Sequence, residues 1–225
     1  MGCVDDESPD LGAVPLFPLP NVVLFPRAVL PLHIFEERYK AMTADTLRED
    51  GRIAMALLKP GWEKCYYQHP AIEPVVCVGI ILSHERLADG TYNFLLQGVT
   101  RARIARELDG KPYRIAQLNP LCETHVLELD FDDERRRLTA LFDNTALAAT
   151  GIGKQFRRMI AGPMPTADIA DLVAFSFLDD LCLRQALLAD GDVKRRVGRT
   201  IDALAAAASH LSPDLAEAER VPGLN

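Results

Sequence analysis

Between Val14 and Leu32 the chain places prolines at positions 15, 18, 20, 26 and 31 among apolar residues. Proline has no backbone N–H and its ring collides with the preceding turn, so no α-helix can run through this stretch, whereas edge strands and tight turns can. Order is expected to begin near Val14 in extended form, and Val22-Val23-Leu24-Phe25 reads as a short buried strand that Pro26 stops. A helix is expected next. Phe35, Tyr39 and Met42 recur at helical spacing, Glu36 and Glu37 fall in the first turn, and Gly51 lies beyond the end.

Short apolar runs then follow at Ile53 to Leu58, Val75 to Leu82, Tyr92 to Gln97, Ala102 to Ala105 and Tyr113 to Leu118, each bounded by turn residues. That spacing is strand-like. Asp89-Gly90 falls between two of the runs and signals a hairpin, because glycine accepts the positive φ of a tight turn. The chain up to about Leu121 is therefore β-rich with one early helix.

After Asp130 the apolar period changes from two to 3.6. Leu138, Leu141, Phe142 and Leu147 share one face of a helix expected to begin near Asp132 and to stop before Gly151, and a short helix is expected around Gln155 to Ile160. Thr166 reads as the N-cap of a helix carrying Ile169, Leu172, Val173 and Phe177. Another helix covers Leu181 to Leu188, and a last one runs from about Asp192 to Ser209 with Val193, Val197, Ile201, Leu204 and Ala208 inward. This half reads as a small helical bundle. No internal repeat or low-complexity linker separates the halves.

A chain of 225 residues with 48% hydrophobic content can bury a substantial core. Its formal net charge of −7 disfavours nucleic acid as a general partner. The five cysteines include no C-x-x-C pair and their count is odd, which argues against a zinc knuckle or a disulfide framework and for a reducing, cytoplasmic setting. No signal-peptide core and no run near the roughly 18 apolar residues of a membrane span is present.

Catalytic patterns are not met. Gly151-Ile152-Gly153-Lys154 is followed by Gln155, not Ser or Thr, and reads as a helix break rather than a phosphate loop. No serine lies in a Gly-x-Ser-x-Gly elbow. His33 and Glu36 could supply half a metal site, but no third ligand is signalled. Cys77 and Cys182 sit in apolar runs and read as core, which leaves Cys65 as the candidate exposed thiol. The expectation is no catalytic residue, no metal and no cofactor.

Two features point to recognition instead. The loop from Pro60 to Tyr67 holds Trp62, Tyr66 and Tyr67, and aromatics on loops either contact partners or fold back as a lid over the core; both readings stay open. Arg135 to Arg137, Arg157-Arg158 and Lys194 to Arg196 form basic clusters on helices, read as solvated faces before they are read as RNA contacts.

The run Leu16-Phe17-Pro18-Leu19-Pro20-Asn21-Val22-Val23-Leu24-Phe25-Pro26, continued by Leu30-Pro31-Leu32-His33-Ile34-Phe35-Glu36-Glu37-Arg38-Tyr39, resembles the opening of the N-terminal substrate-recognition domain of Lon proteases. Val78-Gly79-Ile80, Asp89-Gly90 and the Gly98-Val99-Thr100-Arg101 element follow in that domain's order. The resemblance implies an α+β fold: a PUA-like β pseudo-barrel with an inserted helix, over residues 11–124, followed by a C-terminal helical bundle over 125–211. Residues 1–10 and 212–225 are expected to be loose tails. Lon proteases continue into ATPase and Ser/Lys protease modules, and this chain ends before either, so the resemblance implies a free-standing, non-catalytic member.

The implied function is a protein-binding or peptide-binding module whose partners are proteins or unfolded polypeptide segments. RNA or small-ligand binding through the barrel is the alternative. Trp62, Tyr66 and Tyr67 are the candidate contact residues. Of the family-motif residues, Pro26, Pro31, Glu36, Arg38 and Tyr39 are assigned to fixing the strand-to-helix corner, and His33, Gly98 and Arg101 are assigned structural roles with them.

Overall fold

The computed structural model describes residues 11–66 and 68–210. The expected tails, 1–10 and 212–225, lie outside the described residues, as does Tyr67. Contacts divide the chain into two units. One runs up to Glu123 and takes in Asp179–Gly191; the other comprises Thr124–Leu178 and the chain from Asp192 onward.

The first unit is built on six strands: β1 (Ala13–Leu19), β2 (Val29–Ile34), β3 (Arg52–Leu57), β4 (Val75–Arg86), β5 (Tyr92–Leu108) and β6 (Ile115–Pro120). Their order is β2-β5-β4-β3-β1-β6, and β6 pairs back onto β5. The sheet therefore closes on itself through β5, β4, β3, β1 and β6, with β2 added on the outside of β5, which is the pseudo-barrel the family resemblance implies. The interior is filled by small and branched residues, Leu16, Ala54, Ala56, Val76, Ala102, Ala116 and Leu118, all sealed from solvent.

Proline explains how β1 fits. Its first half, Ala13 to Pro15, pairs with β6, and its second half, Leu16 to Leu19, pairs in parallel with β3. Pro15 and Pro18 thus each lie where only one flanking strand is paired, which a residue without an N–H tolerates. The expected strand at Val22–Phe25 is not one. The segment is irregular, with Val23, Leu24 and Phe25 buried.

The helix α1 (Glu37–Thr46) follows β2 and buries Tyr39 and Met42. Phe35 precedes that helix and is 65% exposed, so it does not belong to the apolar stripe its spacing suggested. The two runs expected at 92–97 and 102–105 form one long β5, in which a bulge at Val99, opposite Val78 and Gly79 of β4, absorbs the change of register. The Asp89-Gly90 hairpin is present. Gly90 has φ 83°, and Asp89 Oδ1 accepts from the Thr91 backbone and hydroxyl.

The helix α5 (Leu181–Leu188), which the sequence pattern assigns to the helical half, belongs by its contacts to the sheet unit. Gln185 Nε2 donates to the Val75 carbonyl at 2.9 Å, and Arg184 Nη2 donates to the Val23 carbonyl at 3.1 Å.

The second unit contains α2 (Asp132–Asn144), α3 (Gly151–Ala161), α4 (Thr166–Phe177) and α6 (Val193–His210). Phe142, Phe156 and Phe177 pack ring on ring at 5.0 to 5.5 Å around Leu138, Ile169, Val173, Val197 and Ile201. Two local expectations change. Gly151 and Gly153 do not end a helix but open α3, where Thr150 Oγ accepts from Gly153 N at 2.9 Å. Thr166 is not an N-cap; its backbone N–H and hydroxyl both donate to the Glu128 carboxylate, which satisfies the positive end of α4. Among the described residues no helix is long and apolar enough to cross a membrane.

Candidate functional site

The motif corner and the aromatic loop, separate in sequence, meet in space. Glu36 sits before α1 and accepts from the Tyr66 hydroxyl at 2.6 Å and from Arg38 Nε at 3.1 Å. The Arg38 guanidinium lies 4.5 Å from the Tyr39 ring centre and 4.7 Å from that of Tyr66, held between the two faces. Phe17 of β1 packs on Tyr39 at 4.5 Å. Burial pushes the Tyr66 hydroxyl above its ordinary 10.0, and the Glu36 carboxylate pushes it the same way. Tyr66 is thus folded back onto the barrel and committed to the corner.

Trp62 has a different position. Edge-on to Tyr66 at 5.6 Å and half-buried, it forms one wall of a groove of about 490 Å³. The groove lies where the β3–β4 ladder is interrupted. The strands pair from Arg52 opposite Ile80 to Met55 opposite Cys77, Leu57 pairs with Leu19 of β1, and beyond a gap the ladder resumes with Glu73 N donating to the Leu57 carbonyl, Lys59 N to the Ala71 carbonyl and Leu58 opposite Ile72. Leu57, Leu58 and Pro60 continue the Trp62 wall, Glu73 to Val75 form the β4 side, and Leu181, Cys182, Gln185, Ala186 and Ala189 of α5 complete it. The surface is chiefly apolar. Gln185, 8% exposed, is fixed to Val75 through its N–H, while its Oε1 accepts no hydrogen bond.

The remaining motif residues lie elsewhere. Pro26 occupies a tight turn with Arg27 at φ 67°, where Arg27 N donates to the Gly98 carbonyl and Gly98 N to the Ala28 carbonyl. Arg101, 3% exposed, donates to the Leu188 carbonyl at the end of α5 and pairs with Glu123 at 3.4 Å. His33 Nδ1 lies 2.7 Å from Asn93 Oδ1, and its ring stacks on Phe35. His33 and Glu36 therefore serve separate partners. Pro31 stands opposite Leu95 on the outer face of β2 and β5, where Val29, Leu82 and Leu95 are also exposed. Among the described residues no group of three or more His, Cys, Asp and Glu side chains is arranged to hold a metal ion.

The basic clusters are matched by acids of their own unit. Arg135 donates to the Ile160, Gly162 and Met164 carbonyls and to Glu128; Arg136 pairs with Asp133, Arg137 with Asp202 and Arg157 with Asp143. Lys194 bonds the Asp130 carbonyl, and Arg196, 2% exposed, faces Asp171. Paired cations of this kind make a poor footprint for a phosphate backbone.

Trp62, a candidate contact residue from the sequence, lies on the groove wall, and the α5 side of the groove was not among the candidates. Cys182, read as core, is exposed on the groove wall. A signal was present at Gln185, a buried polar residue beside Arg184 in a helix whose other positions are apolar.

Comparison with known proteins places this architecture. The chain is similar to Lon protease 3 of Sorangium cellulosum (26% identical over 206 residues, 89% of this chain and 24% of the relative) and to the Lon protease of Desulfosudis oleivorans (22% over 192 residues, 85% and 23%). It spans about a quarter of the length of these relatives. In fold it is similar to the N-terminal domain of Mycobacterium avium complex Lon protease (TM-score 0.64, 19% identity, 88% of this chain and 100% of that one) and to a Lon N-terminal domain protein from Xanthomonas campestris (TM-score 0.60, 19% identity, 85% and 98%). The family model of the ATP-dependent protease La (LON) substrate-binding domain matches residues 13–206, from the first strand into the last helix, and the chain belongs to that family.

Proposed function

We propose that this chain is a polypeptide-binding module which holds apolar segments of unfolded proteins in the Trp62 groove and carries out no bond-breaking step itself. The carrying observation is the groove: an apolar concavity of about 490 Å³, walled by the chain's single tryptophan, in a domain whose family is defined by substrate binding. Concave apolar sites with a few fixed polar groups are the usual form of a binding pocket. Trp at the edge of such a pocket supplies large contact area at little entropic cost. Of the three candidate aromatics, Trp62 takes the contact role and Tyr66 supports it from behind through Glu36 and Arg38.

Because Trp62 is the only tryptophan, its fluorescence reports occupancy of the groove. The test is titration with a Trp-free polypeptide kept unfolded by reduction and carboxymethylation, following Trp62 emission and, in parallel, binding heat. The emission is expected to shift, and Trp62→Ala to weaken binding about tenfold or more, as for a buried aromatic anchor. A Leu82→Ser, Leu95→Ser double variant on the outer β2/β5/β4 face is expected to bind as the parent does. Unchanged affinity in Trp62→Ala, or loss that follows Leu82 and Leu95 instead, would remove the groove from the reading.

A further inference from the structure

We infer that the segment held in the groove lies there as an amphipathic α-helix, its apolar stripe against Trp62 and an acidic residue beside that stripe meeting Arg103. This rests on the polypeptide-binding reading of the groove and names the conformation and the charge that the groove selects.

The lining offers the main chain of a ligand nothing to bond. On the sheet side the Leu57 carbonyl accepts from Glu73 N, Leu58 N donates to the Leu19 carbonyl, and Lys59 N donates to the Ala71 carbonyl. The Pro74 carbonyl accepts from Ile104 N, and the Val75 carbonyl accepts from Gln185 Nε2. Pro20, Pro60 and Pro74 have no N–H to give. On the α5 side Cys182 N donates to Asp180 Oδ1 and Ala189 N to the Gln185 carbonyl. A strand laid along these walls finds no edge to extend, and each of its peptide groups that lost water there would go unpaired at a cost. A helix bonds its own main chain and presents side chains alone.

Shape and charge agree with a helix. A volume of about 490 Å³ admits a stripe of apolar side chains rather than a whole helix, so the polar face of the ligand stays in water. Cys182, Ala186 and Ala189 of α5 are short, which lets another helix come close, while Leu58, Pro60 and Trp62 supply the larger apolar surfaces. Arg103 stands opposite Val75 in the β4–β5 ladder, lines the groove and is exposed. Its neighbour Arg101 is paired with Glu123, but among the described residues the Arg103 side chain has no ion pair or hydrogen bond. Glu73, the one acid of the lining, is not paired with it, so the charge of Arg103 is left for a ligand.

The test uses a carbon-13-labelled copy of the tightest-binding member of an overlapping peptide set tiled from the same carboxymethylated Trp-free polypeptide. On binding, its Cα shifts are expected to move in the helical direction over consecutive residues. Ala and Gly versions of one position off the apolar stripe are expected to differ about fourfold to fivefold in affinity, the difference in helix propensity. Glu and Lys are then placed in turn at each position bordering the stripe. At one position Glu is expected to bind the parent protein about threefold or more tighter than Lys, and Arg103→Glu to reverse that preference. If the bound peptide shows no helical shifts and its Ala and Gly versions bind within about twofold, while binding still depends on Trp62, the helix inference fails and the groove stands. If Arg103→Glu leaves every preference between Glu and Lys as it was, the assignment of Arg103 fails. If peptide binding does not depend on Trp62 at all, the groove reading fails and this inference with it.

Discussion

A Cβ added to Gly98 would lie 2.1 Å from the Phe25 carbonyl oxygen and 3.0 Å from Cys77 Sγ, so the Phe25-Pro26 turn and β5 touch backbone to backbone. Two hydrogen bonds lock the approach, Arg27 N to the Gly98 carbonyl at 2.8 Å and Gly98 N to the Ala28 carbonyl at 2.9 Å. Gly98→Ala is expected to destabilise the protein by about 2–3 kcal/mol, the upper part of the range for overpacking, because the obstructing atom is backbone and cannot swing aside. Urea denaturation checks it; a loss below about 0.5 kcal/mol would mean the turn yields more readily than its bonds imply.

The Arg38 guanidinium lies between the Tyr39 and Tyr66 rings and bonds Glu36, with a quarter of its side chain exposed. Each ring contact is worth about 0.5–1 kcal/mol, and the half-buried ion pair adds little beyond that. Arg38→Ala is expected to lower stability by about 1–2 kcal/mol, roughly 3–7 °C in Tm for a chain of this size. Tyr66 would lose its backing, so groove affinity should fall only modestly. Abolished binding at unchanged Tm would make Arg38 a contact residue instead.

Arg101 ties the end of α5 to the barrel through the Leu188 carbonyl at 3.2 Å. Arg101→Met keeps much of the buried volume but removes that bond and the pairing with Glu123. The expected cost is about 1.5–3 kcal/mol, as for a buried hydrogen bond from a charged donor. Hydrogen exchange is expected to rise in residues 181–188 before it rises in the barrel strands, a pattern that uniform acceleration would contradict.

How much of this was legible beforehand divides along a physical line. Patterns set by neighbours in sequence were readable: the prolines excluded a helix before Ile34, Asp89-Gly90 marked the hairpin, and Val193, Val197, Ile201 and Leu204 marked the buried face of α6. Features made by distant segments were not. Val22–Phe25 looked like a strand because it is apolar, yet its Val23 carbonyl is satisfied by the Arg184 side chain rather than by a ladder. The alternation in β3 and β4 gives no sign of where their ladder is interrupted, so the groove, on whose wall Trp62 lies, could not be foreseen. Nor does the apolar pattern of α5 distinguish a helix that packs on a sheet from one in a bundle. The polar pair Arg184 and Gln185 in that pattern was the local hint.

Asp45 near the end of α1 accepts from Lys111 Nζ and from the Tyr113 hydroxyl, both at 2.8 Å. The Lys111 bond first, and then that from Tyr113, hold its carboxyl below the ordinary 3.8. A depressed carboxylate stabilises the fold above its unfolded value, and the contribution disappears as pH falls through the folded value. Asp45→Asn is therefore expected to melt lower than the parent at neutral pH, with the gap closing as pH drops below 3.8. Melting curves across pH for both proteins check the sign. A gap that widens in acid would refute the assignment.

Cys182 offers a way to see the groove filled without altering it. Its thiol is exposed in the first turn of α5, on the groove wall, whereas Cys122 is exposed but does not line the groove. In a Cys3→Ser, Cys65→Ser background, maleimide should label both remaining exposed thiols, since buried Cys77 is out of reach. Adding the carboxymethylated Trp-free polypeptide is expected to slow modification of Cys182 in proportion to the Trp62 emission change and to leave Cys122 at its original rate, read by mass spectrometry of the digested protein. Both signals come from residues that line one concavity, so a ligand that fills it must move both together. Protection of Cys122 and Cys182 alike would indicate diffuse association over the surface, and an emission change with Cys182 unprotected would place the ligand on the outer side of Trp62, away from α5.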